Sequence, residues 1–487
     1  MYCERMQCAA LENRILCAEE AAAFIKPGMI IGMSGFSTGA PKAIPLELAK
    51  PGKFHDLTVI QGAGRGMLTE LAQSDAVSRY IAFQWCREMR DMINAGKIAF
   101  SDVHLGQLSD KLRAGVFGKV DCAVIACSGI REDGGIIPSL SLGINDALLE
   151  CAEKVLLEIN LAVPTAITGI HDVGGSALCP LGGILERRGE AVLRCDPEKI
   201  AGIVITQAEE PEIDIRDTDA VCRGIAKQVR ALLDGELAAK RLPAEFTLQA
   251  GVGGVANAVL REFSEGGHKN LKMFTEVLAD GALGLIAAGV ISEASTTALD
   301  LSLKGLAAFF ANAAFYKEHI VLRPLGTSNS ASQITAMGLV AINTALEADI
   351  YGNINSTHVL GVDMLNGIGG SNDFCRSAKL SVFITPATAK NGDISCIVPM
   401  VPHVDSSEHD TDIIATEYGY ADLRGKSPKE RARAIIENCA HPDYRAPLLD
   451  YFSSASALCG PCQTPHDLSK ALSWHSRFLK TGTMKQA

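Results

Sequence analysis

The chain has 487 residues, of which 47% are hydrophobic and 21% are charged, and its formal net charge is −11. This composition is that of an ordinary globular protein long enough for two or three domains. The acidic balance argues against nucleic acid or an anionic membrane surface as the main partner, although a local pocket can still bind anionic small molecules.

The first residues, Met1-Tyr2-Cys3, do not lead into the long apolar core of a signal peptide, and apolar runs such as 281–291 are too short to span a bilayer. The 15 cysteines are odd in number and scattered, mostly singly. Such usage is typical of reduced thiols rather than a disulfide framework. We therefore expect a cytoplasmic protein without a membrane partner.

Short apolar runs alternate with helical patterns along the chain, which predicts an α/β fold. In the first half, buried strands are expected at 57–60, 122–126, 155–159 and 203–205. The glycine-rich segment 35–45 is typical of a strand-to-helix loop, in which Lys42 could offer charge to a ligand. It lacks the spacing of a phosphate-binding P-loop, and a plain βα turn explains it equally well.

A domain boundary is predicted near residue 215, after the polar stretch 209–212 and before a long helix from Asp219 to Ala239. The pattern of strands and helices then restarts. We expect two tandem α/β domains, residues 1–215 and 216–487, which pack tightly because no long linker separates them.

In the second half, strands are expected at 246–249, 273–278, 380–384, 394–401 and 413–416. The pair Asn391-Gly392 predicts a hairpin between two of them. Ser427, followed by Pro428 and by Glu430, has the pattern of a capping box that opens a helix through Asn438.

The most informative residue is Glu276, which lies in the apolar run 272–278, after the glycine turn 249–254. A carboxylate in a buried strand is costly unless it has a partner or a function. The backbone N–H groups of the glycine turn could face an oxyanion, and a carboxylate nucleophile beside them suits acyl transfer from a thioester. A structural ion pair is the alternative, which the pattern alone favours.

Further polar loops follow at 351–357 and 366–374, the second with three glycines in four positions. Together they predict a wall rich in N–H and amide donors. Cys459 and Cys462 have the spacing of a redox motif but lack its preceding strand and small βαβ domain, so a loop with incidental thiols is expected, with redox or zinc chemistry as alternatives. The clusters 403–405 and 408–410 suggest metal ligands when taken alone, but no metal site is expected.

These motifs resemble the acetyl-CoA hydrolase/transferase family, and within it the succinyl-CoA:acetate and propionyl-CoA:succinate CoA-transferases. The resemblance covers nearly the whole chain and is dense in the second half. The matching stretches are 35–45, 249–259, 274–277, 348–374 and 385–425. It implies two tandem CoA-transferase domains with the active site at their interface.

The resemblance also implies a mechanism. Glu276 matches the family's nucleophile, which forms a mixed anhydride and then a glutamyl-CoA thioester, and the N–H groups of Val252 and Gly370 match its oxyanion hole. The residues implied to contact CoA are Gln249, Ala250, Gly251, Val252, Asn366, Gly370 and Lys390. A solvated lysine beside the hairpin is the alternative for Lys390.

For the substrate acid, Asn329 matches an asparagine that holds the carboxylate, and Glu417 matches a second glutamate near the site, with an ion pair to Arg424 as its alternative. The segment 62–66 departs from the family's serine- and threonine-containing turn. We hypothesise that Arg65 there faces the acyl pocket and favours a dicarboxylate such as succinate. The segments 174–194 and 324–328 diverge as well.

The sequence thus predicts a CoA-transferase that acts on acyl-CoA and small carboxylic acids, with no cofactor beyond CoA as a substrate. An acetyl-CoA hydrolase is the alternative within this chemistry, and a CoA-binding regulatory protein is the alternative outside it. The resemblance implies a homodimer, and no nucleic-acid partner is expected.

Overall fold

The computed structural model describes residues 4–65, 68–175, 177–213, 218–251 and 253–486. Each half of the chain builds one large and mainly parallel β-sheet with helices packed against it. This arrangement confirms the predicted fold of two α/β units. The predicted boundary at residues 215 and 216 lies outside the described residues.

The first sheet runs parallel throughout its main path, and one short strand pairs antiparallel with its centre. Its nine-residue inner strand, Cys122–Ile130, is buried along its whole length, as expected for a parallel strand covered on both faces. All four strands predicted in this half are present. From edge to edge the strands are Ala99–Ser101, Val77–Gln84, Leu57–Gly64, Ile30–Phe36, Cys122–Ile130, Lys154–Asn160 and Ile200–Thr206, with Ile136–Pro138 beside Cys122–Ile130.

The second sheet also has eight strands and is parallel except for the last pair. The strands predicted at 246–249, 380–384 and 413–416 are present. From edge to edge the strands are Ile320–Leu322, Ile291–Thr296, Leu271–Phe274, Thr247–Ala250, Val340–Thr344, Leu380–Ile384, Ile413–Thr416 and Gly419–Asp422.

Two strand predictions in this half were wrong in extent. The predicted strand 273–278 is divided, because the chain leaves the sheet after Phe274 and starts a second pairing at Val277–Ala279. The buried Thr275 hydroxyl donates to the Ala250 and Val277 carbonyls at 3.2 and 3.3 Å, which fixes the turn. The predicted strand 394–401 is reduced to Ile394–Ser395 and Ile397–Val398.

Local capping and turn signals are confirmed. The Asp219 side chain accepts the Cys222 N–H at 2.7 Å and begins the helix Ala220–Ala238. The Ser427 capping box begins the helix Pro428–Cys439. The predicted hairpin turn is present, and Asn391 adopts the left-handed conformation with φ 56°, but the hairpin joins Ile394–Ser395 to Thr388–Ala389 and not to the predicted strand 380–384.

The α-helices cover the faces of both sheets, and none in the described part of the chain is long and apolar enough to cross a membrane. In chain order they are Ala18–Ala22, Ala43–Leu48, Leu68–Gln73, Arg87–Asn94, Leu108–Arg113, Asn145–Cys151, Ala220–Ala238, Gly254–Glu265, Asp280–Ala287, Leu303–Ala311, Ala313–His319, Leu325–Ser328, Ala331–Met337, Ser371–Ser377, Pro428–Cys439, Pro442–Cys459 and Ser473–Thr481.

The two halves share one hydrophobic core, which contains side chains from both sheets. Backbone hydrogen bonds cross between the halves from Leu142 N to Thr297 O at 2.9 Å and from Leu299 N to Leu140 O at 3.1 Å. Asp172 and Arg323 add an ion pair that is buried on both sides. The halves therefore pack tightly, as predicted.

Candidate active site

A cavity of about 370 Å³ lies between the two halves, where the carboxyl ends of strands from both sheets meet. In parallel sheets this is the usual place for a ligand. The second half contributes most of the lining, including Gln249, Ala250, Gly251, Glu276, Asn343, Asn366 and Gly370, and the first half contributes Phe83, Gln84, Trp85 and Arg90.

Glu276 lies at the wall of this cavity, in the break between Leu271–Phe274 and Val277–Ala279. Its Oε2 accepts a hydrogen bond from Asn329 Nδ2 at 2.5 Å. Burial raises the pKa of Glu276 to about 8, and the nearby Asp373 carboxyl adds to this rise while the Asn329 hydrogen bond opposes it. A carboxyl that exchanges its proton near neutral pH, with the backbone of a glycine loop beside it, is equipped for nucleophilic or acid–base chemistry.

Asn329 is buried beneath Glu276 and connects it to a second carboxyl. Its Nδ2 also donates to Asp373 Oδ2 at 3.1 Å, and the same Asp373 oxygen accepts the N–H of Gly106 at 2.7 Å. Burial raises the pKa of Asp373 as well, against the effect of these two hydrogen bonds. The amide of Asn329 thus fixes the orientation of Glu276, and its Oδ1 has no hydrogen-bond partner among the described residues.

Gly370 lies directly against Glu276. A Cβ atom at position 370 would overlap Glu276 Oε2 and would stand 2.4 Å from Asn329 Nδ2. Only glycine lets the backbone come this close to the carboxylate. The structure therefore brings Glu276, Asn329 and Gly370 together, as the resemblance implies, and the role of each remains a prediction.

The glycine turn after Thr247–Ala250 lines the same cavity with Gln249, Ala250 and Gly251. The Gln249 side chain is paired with the Asn343 amide through two hydrogen bonds of 3.0 and 3.3 Å. The Gly251 N–H donates to the Ile342 carbonyl at 3.0 Å. Val252, expected in the oxyanion hole, lies outside the described residues.

The remaining predicted residues are spread more widely. Asn366 lines the cavity, whereas Lys390 is exposed at the hairpin and is not part of the lining. Glu417 is also outside the lining, and its Oε2 accepts the Ala387 N–H at 2.9 Å. The alternative of an ion pair with Arg424 is wrong, because Arg424 pairs with Glu236 and Asp422.

Arg65 does not face the cavity as hypothesised. Its Nη1 lies 3.3 Å from Asp300 Oδ1, and its guanidinium stacks on the Trp85 ring at 5.2 Å from the centroid. Trp85 lines the cavity, whereas Arg65 is not part of the lining. A bidentate contact with a substrate would require Arg65 to leave both partners, so this placement speaks against the hypothesis.

The residues of the first half that line the cavity were not predicted from the sequence. Phe83 and Gln84 end the strand Val77–Gln84 of the first sheet, Trp85 follows directly, and Arg90 lies on the helix Arg87–Asn94. Among the described residues that line the cavity, Arg90 carries the one positive charge. No local motif marks these residues, because they reach the cavity only through the packing of the two halves.

Cys459 and Cys462 lie far along the chain from the cavity lining, at and just after the end of Pro442–Cys459. The Cys459 thiol donates to the His466 carbonyl at 3.2 Å. His403 and Asp405 approach to 3.2 Å and belong to a network with Thr357. In the described part of the chain, no three His, Cys, Asp or Glu side chains form a metal-binding group.

Comparison with known proteins places this architecture in a family. Residues 1–180 match the acetyl-CoA hydrolase/transferase N-terminal domain, and residues 305–452 match the corresponding C-terminal domain. The chain is 41% identical to a succinyl-CoA:acetate CoA-transferase of Clostridium kluyveri, over 99% of this chain and 92% of that protein. It is 38% identical to an acetyl-CoA hydrolase of Schizosaccharomyces pombe, over 95% of this chain and 94% of the relative.

The fold is similar to that of RipA from Yersinia pestis, with a TM-score of 0.73 and 24% identity over 92% of this chain and 99% of that chain. The family resemblance found in the motifs is thus confirmed over both halves of the sequence. The chain belongs to the acetyl-CoA hydrolase/transferase family of enzymes.

Proposed function

We propose that this enzyme transfers CoA between a short-chain acyl-CoA and a small carboxylic acid through a covalent intermediate on Glu276. The observation that supports this most directly is the Glu276 carboxyl at the cavity wall, oriented by Asn329 and in contact with Gly370. Coenzyme A is a substrate in this reaction, and no further cofactor takes part.

The proposed reaction has two exchanges at carbonyl carbon. A Glu276 oxygen attacks the acyl carbonyl, the C–S bond breaks, and CoA leaves as a thiolate, which yields a mixed anhydride of Glu276 and the acyl group. The thiolate then attacks the glutamyl carbonyl, which releases the first carboxylate and leaves a glutamyl-CoA thioester. The acceptor carboxylate reverses both steps, so that Glu276 is regenerated without net consumption of a proton or of thioester energy.

The surroundings of Glu276 fit this chemistry. Attack requires the ionised carboxylate, which the Asn329 amide stabilises against the effect of burial. Backbone donors of the glycine loop beside it, with Gly370 at the closest approach, would stabilise the oxyanion that forms at each attack. Gln249, Ala250, Gly251 and Asn366 line the space that the thioester end of CoA would fill.

We assign recognition of a second substrate carboxylate to Arg90 rather than to Arg65. Arg90 is the positively charged residue of the described lining, and its nearest anionic partner, Asp91 Oδ1, is 3.9 Å away from its Nε. A dicarboxylic acid such as succinate could therefore pair its free end with a guanidinium that no described carboxylate engages in a close ion pair.

Hydrolysis is the second candidate, since several relatives, that of Schizosaccharomyces pombe among them, are named acetyl-CoA hydrolases. The same Glu276 intermediate would then be resolved by water. The two outcomes differ in how well the closed site excludes water, which is a property of the bound complex.

The test is product analysis of the purified enzyme with acetyl-CoA or succinyl-CoA, with and without added carboxylates. A new acyl-CoA that forms only with an acceptor supports transfer, whereas steady release of free CoA without one indicates hydrolysis. We expect Glu276→Ala to lose turnover by at least about 10³-fold while keeping the fold and CoA binding. Near-normal turnover of this variant would contradict the covalent mechanism.

A further inference from the structure

The glycine loop 366–370, which carries Gly370, is held by the first half of the chain. The segment 102–107, which follows the edge strand Ala99–Ser101, makes the contacts. The Ile368 N–H donates to Asp102 Oδ2 at 2.8 Å, and the Leu105 N–H donates to the Gly369 carbonyl at 3.3 Å. A segment of the first half thus binds the loop of the second half whose backbone lies against the Glu276 carboxylate.

Each of these two segments has a glycine at a close contact, Gly367 against Asp102 and Gly106 against Asn329. A Cβ atom on Gly367 would stand 2.7 Å from Asp102 Oδ1, and one on Gly106 would stand 2.7 Å from the Asn329 carbonyl oxygen. A side chain at position 367 would displace the Asp102 carboxylate, and one at position 106 would displace the backbone at Asn329. The segment 102–107 is therefore packed closely against both the glycine loop and the backbone at Asn329.

This contact continues to Glu276 through hydrogen bonds. Gly106 N–H donates to Asp373, Asn329 donates to Asp373, and Asn329 also donates to Glu276. The segment 102–107 is thus connected to both sides of the reactive carboxylate, to the glycine loop through Asp102 and to the Asn329 amide through Gly106.

We propose that Asp102 is a positioning residue for catalysis, which places the glycine loop so that the backbone at Gly370 faces the oxyanion formed on attack by Glu276. The inference rests on the proposed function of Glu276. It adds that the first half of the chain, whose Asp102 does not itself line the cavity, sets the rate of the chemical step rather than the affinity for CoA.

The charge of Asp102 gives this role a pH signature. Burial raises the pKa of Asp102 to about 6, with Asp405 of the other half adding to the rise, while the Ile368 and Val103 N–H groups and His104 oppose it. When Asp102 is protonated, its hydrogen bond to Ile368 loses the strength that the negative charge confers. The glycine loop is then held less firmly below about pH 6.

The test compares Asp102→Asn and Asp102→Ala with the wild type and with Asp121→Asn. Asp121 is a matched control, because its partly buried carboxylate also accepts a backbone N–H, that of Ile30, at 2.7 Å, but away from the glycine loop. We expect kcat to fall about 10-fold in Asp102→Asn and about 100-fold in Asp102→Ala, with KM for acyl-CoA within about twofold. Asp121→Asn should keep the wild-type kcat.

The pH dependence of kcat/KM separates positioning from general loss of structure. For the wild type we expect log(kcat/KM) to rise with unit slope up to about pH 8 as Glu276 ionises, and to fall more steeply below about pH 6 as Asp102 protonates. Asp102→Asn should keep the unit slope and lose the steeper part, because its side chain is neutral at every pH.

An unchanged kcat in Asp102→Asn, an equal loss in Asp121→Asn, or a rise in KM with kcat preserved would each overturn the positioning role. These results are distinct from failure of the proposed function. If Glu276→Ala keeps turnover, the covalent mechanism fails, whereas an inactive Glu276→Ala with a fully active Asp102→Asn overturns only the inference about Asp102.

Discussion

Two glycine-rich loops of this enzyme are similar in composition and differ in which groups accept hydrogen bonds from their backbone N–H groups. In the loop 35–45, the buried Glu158 carboxylate accepts the N–H groups of Lys42, Ala43 and Ile44 at 2.6 to 3.2 Å. The buried Lys42 ammonium pairs with Glu210 at 2.9 Å. Side chains of the same chain therefore bind the backbone N–H groups of this loop, and the Lys42 ammonium is already paired with Glu210.

The loop 366–370 instead lies open to the cavity. Its glycines lie against Glu276, Asp102 and the Phe83 ring, and Ile368, Gly369 and Gly370 line the space proposed for the thioester. Glycine content alone does not separate a structural turn from a ligand-binding one. The distinction comes from tracing which protein group, if any, each backbone N–H already has as its partner.

The largest effect is expected at Gly370. In Gly370→Ala the new Cβ would overlap Glu276 Oε2, so either the carboxylate or the loop must move. We expect kcat/KM to fall by about 10³-fold or more, since misplacement of both the nucleophile and an oxyanion donor is costly. Steady-state kinetics with acetyl-CoA and a carboxylate acceptor would measure it.

Gly235→Ala is the matched control, because position 235 lies within the helix Ala220–Ala238, and a Cβ there meets no described atom within 4 Å apart from the adjoining backbone of its own helix. Alanine in a helix interior is favourable, so this variant should be fully active and as stable as the wild type or slightly more so. Comparable activity of Gly370→Ala and Gly235→Ala would show that the contact between Gly370 and Glu276 is not needed for turnover.

Much of the fold could be predicted from the sequence, because parallel strands and capped helices leave strong local patterns, as at Cys122–Ile130 and Ser427. Glu276 could be singled out because a carboxylate in an apolar run is unusual. The break of its strand was missed, since it depends on the Thr275 hydroxyl and on pairing with a distant segment. Arg90 and Asp102 could not be found, because their importance arises only where the halves meet.

A medium effect is expected at Arg90, on the choice of acid. Arg90→Gln removes the positive charge from the described cavity lining, and loss of one charge-assisted hydrogen bond should raise KM for succinate about 10- to 100-fold. KM for acetate should stay within about twofold, because acetate has no second carboxylate. Competition assays with the two acids as acceptors would measure the change in preference.

The control for this variant is Arg87→Gln on the same helix. The Arg87 side chain is 78% exposed, pairs with Asp91 at 3.7 Å, and is not part of the lining. It should leave both KM values unchanged. If Arg90→Gln instead raised KM equally for every acyl-CoA and for free CoA, Arg90 would bind the CoA phosphates and not the acid.

The smallest effect on catalysis is expected in the loop 35–45. Lys42→Met leaves Glu210 buried without its partner, which should cost about 3–5 kcal/mol of unfolding free energy. The kcat and KM of the folded enzyme should stay within about twofold, because Lys42 does not line the cavity. Adding Glu210→Leu should recover most of the lost stability, since two apolar side chains can replace a buried ion pair. Denaturant unfolding together with kinetics would measure both quantities, and a loss of CoA affinity in Lys42→Met at full stability would mean that this loop, too, binds the ligand.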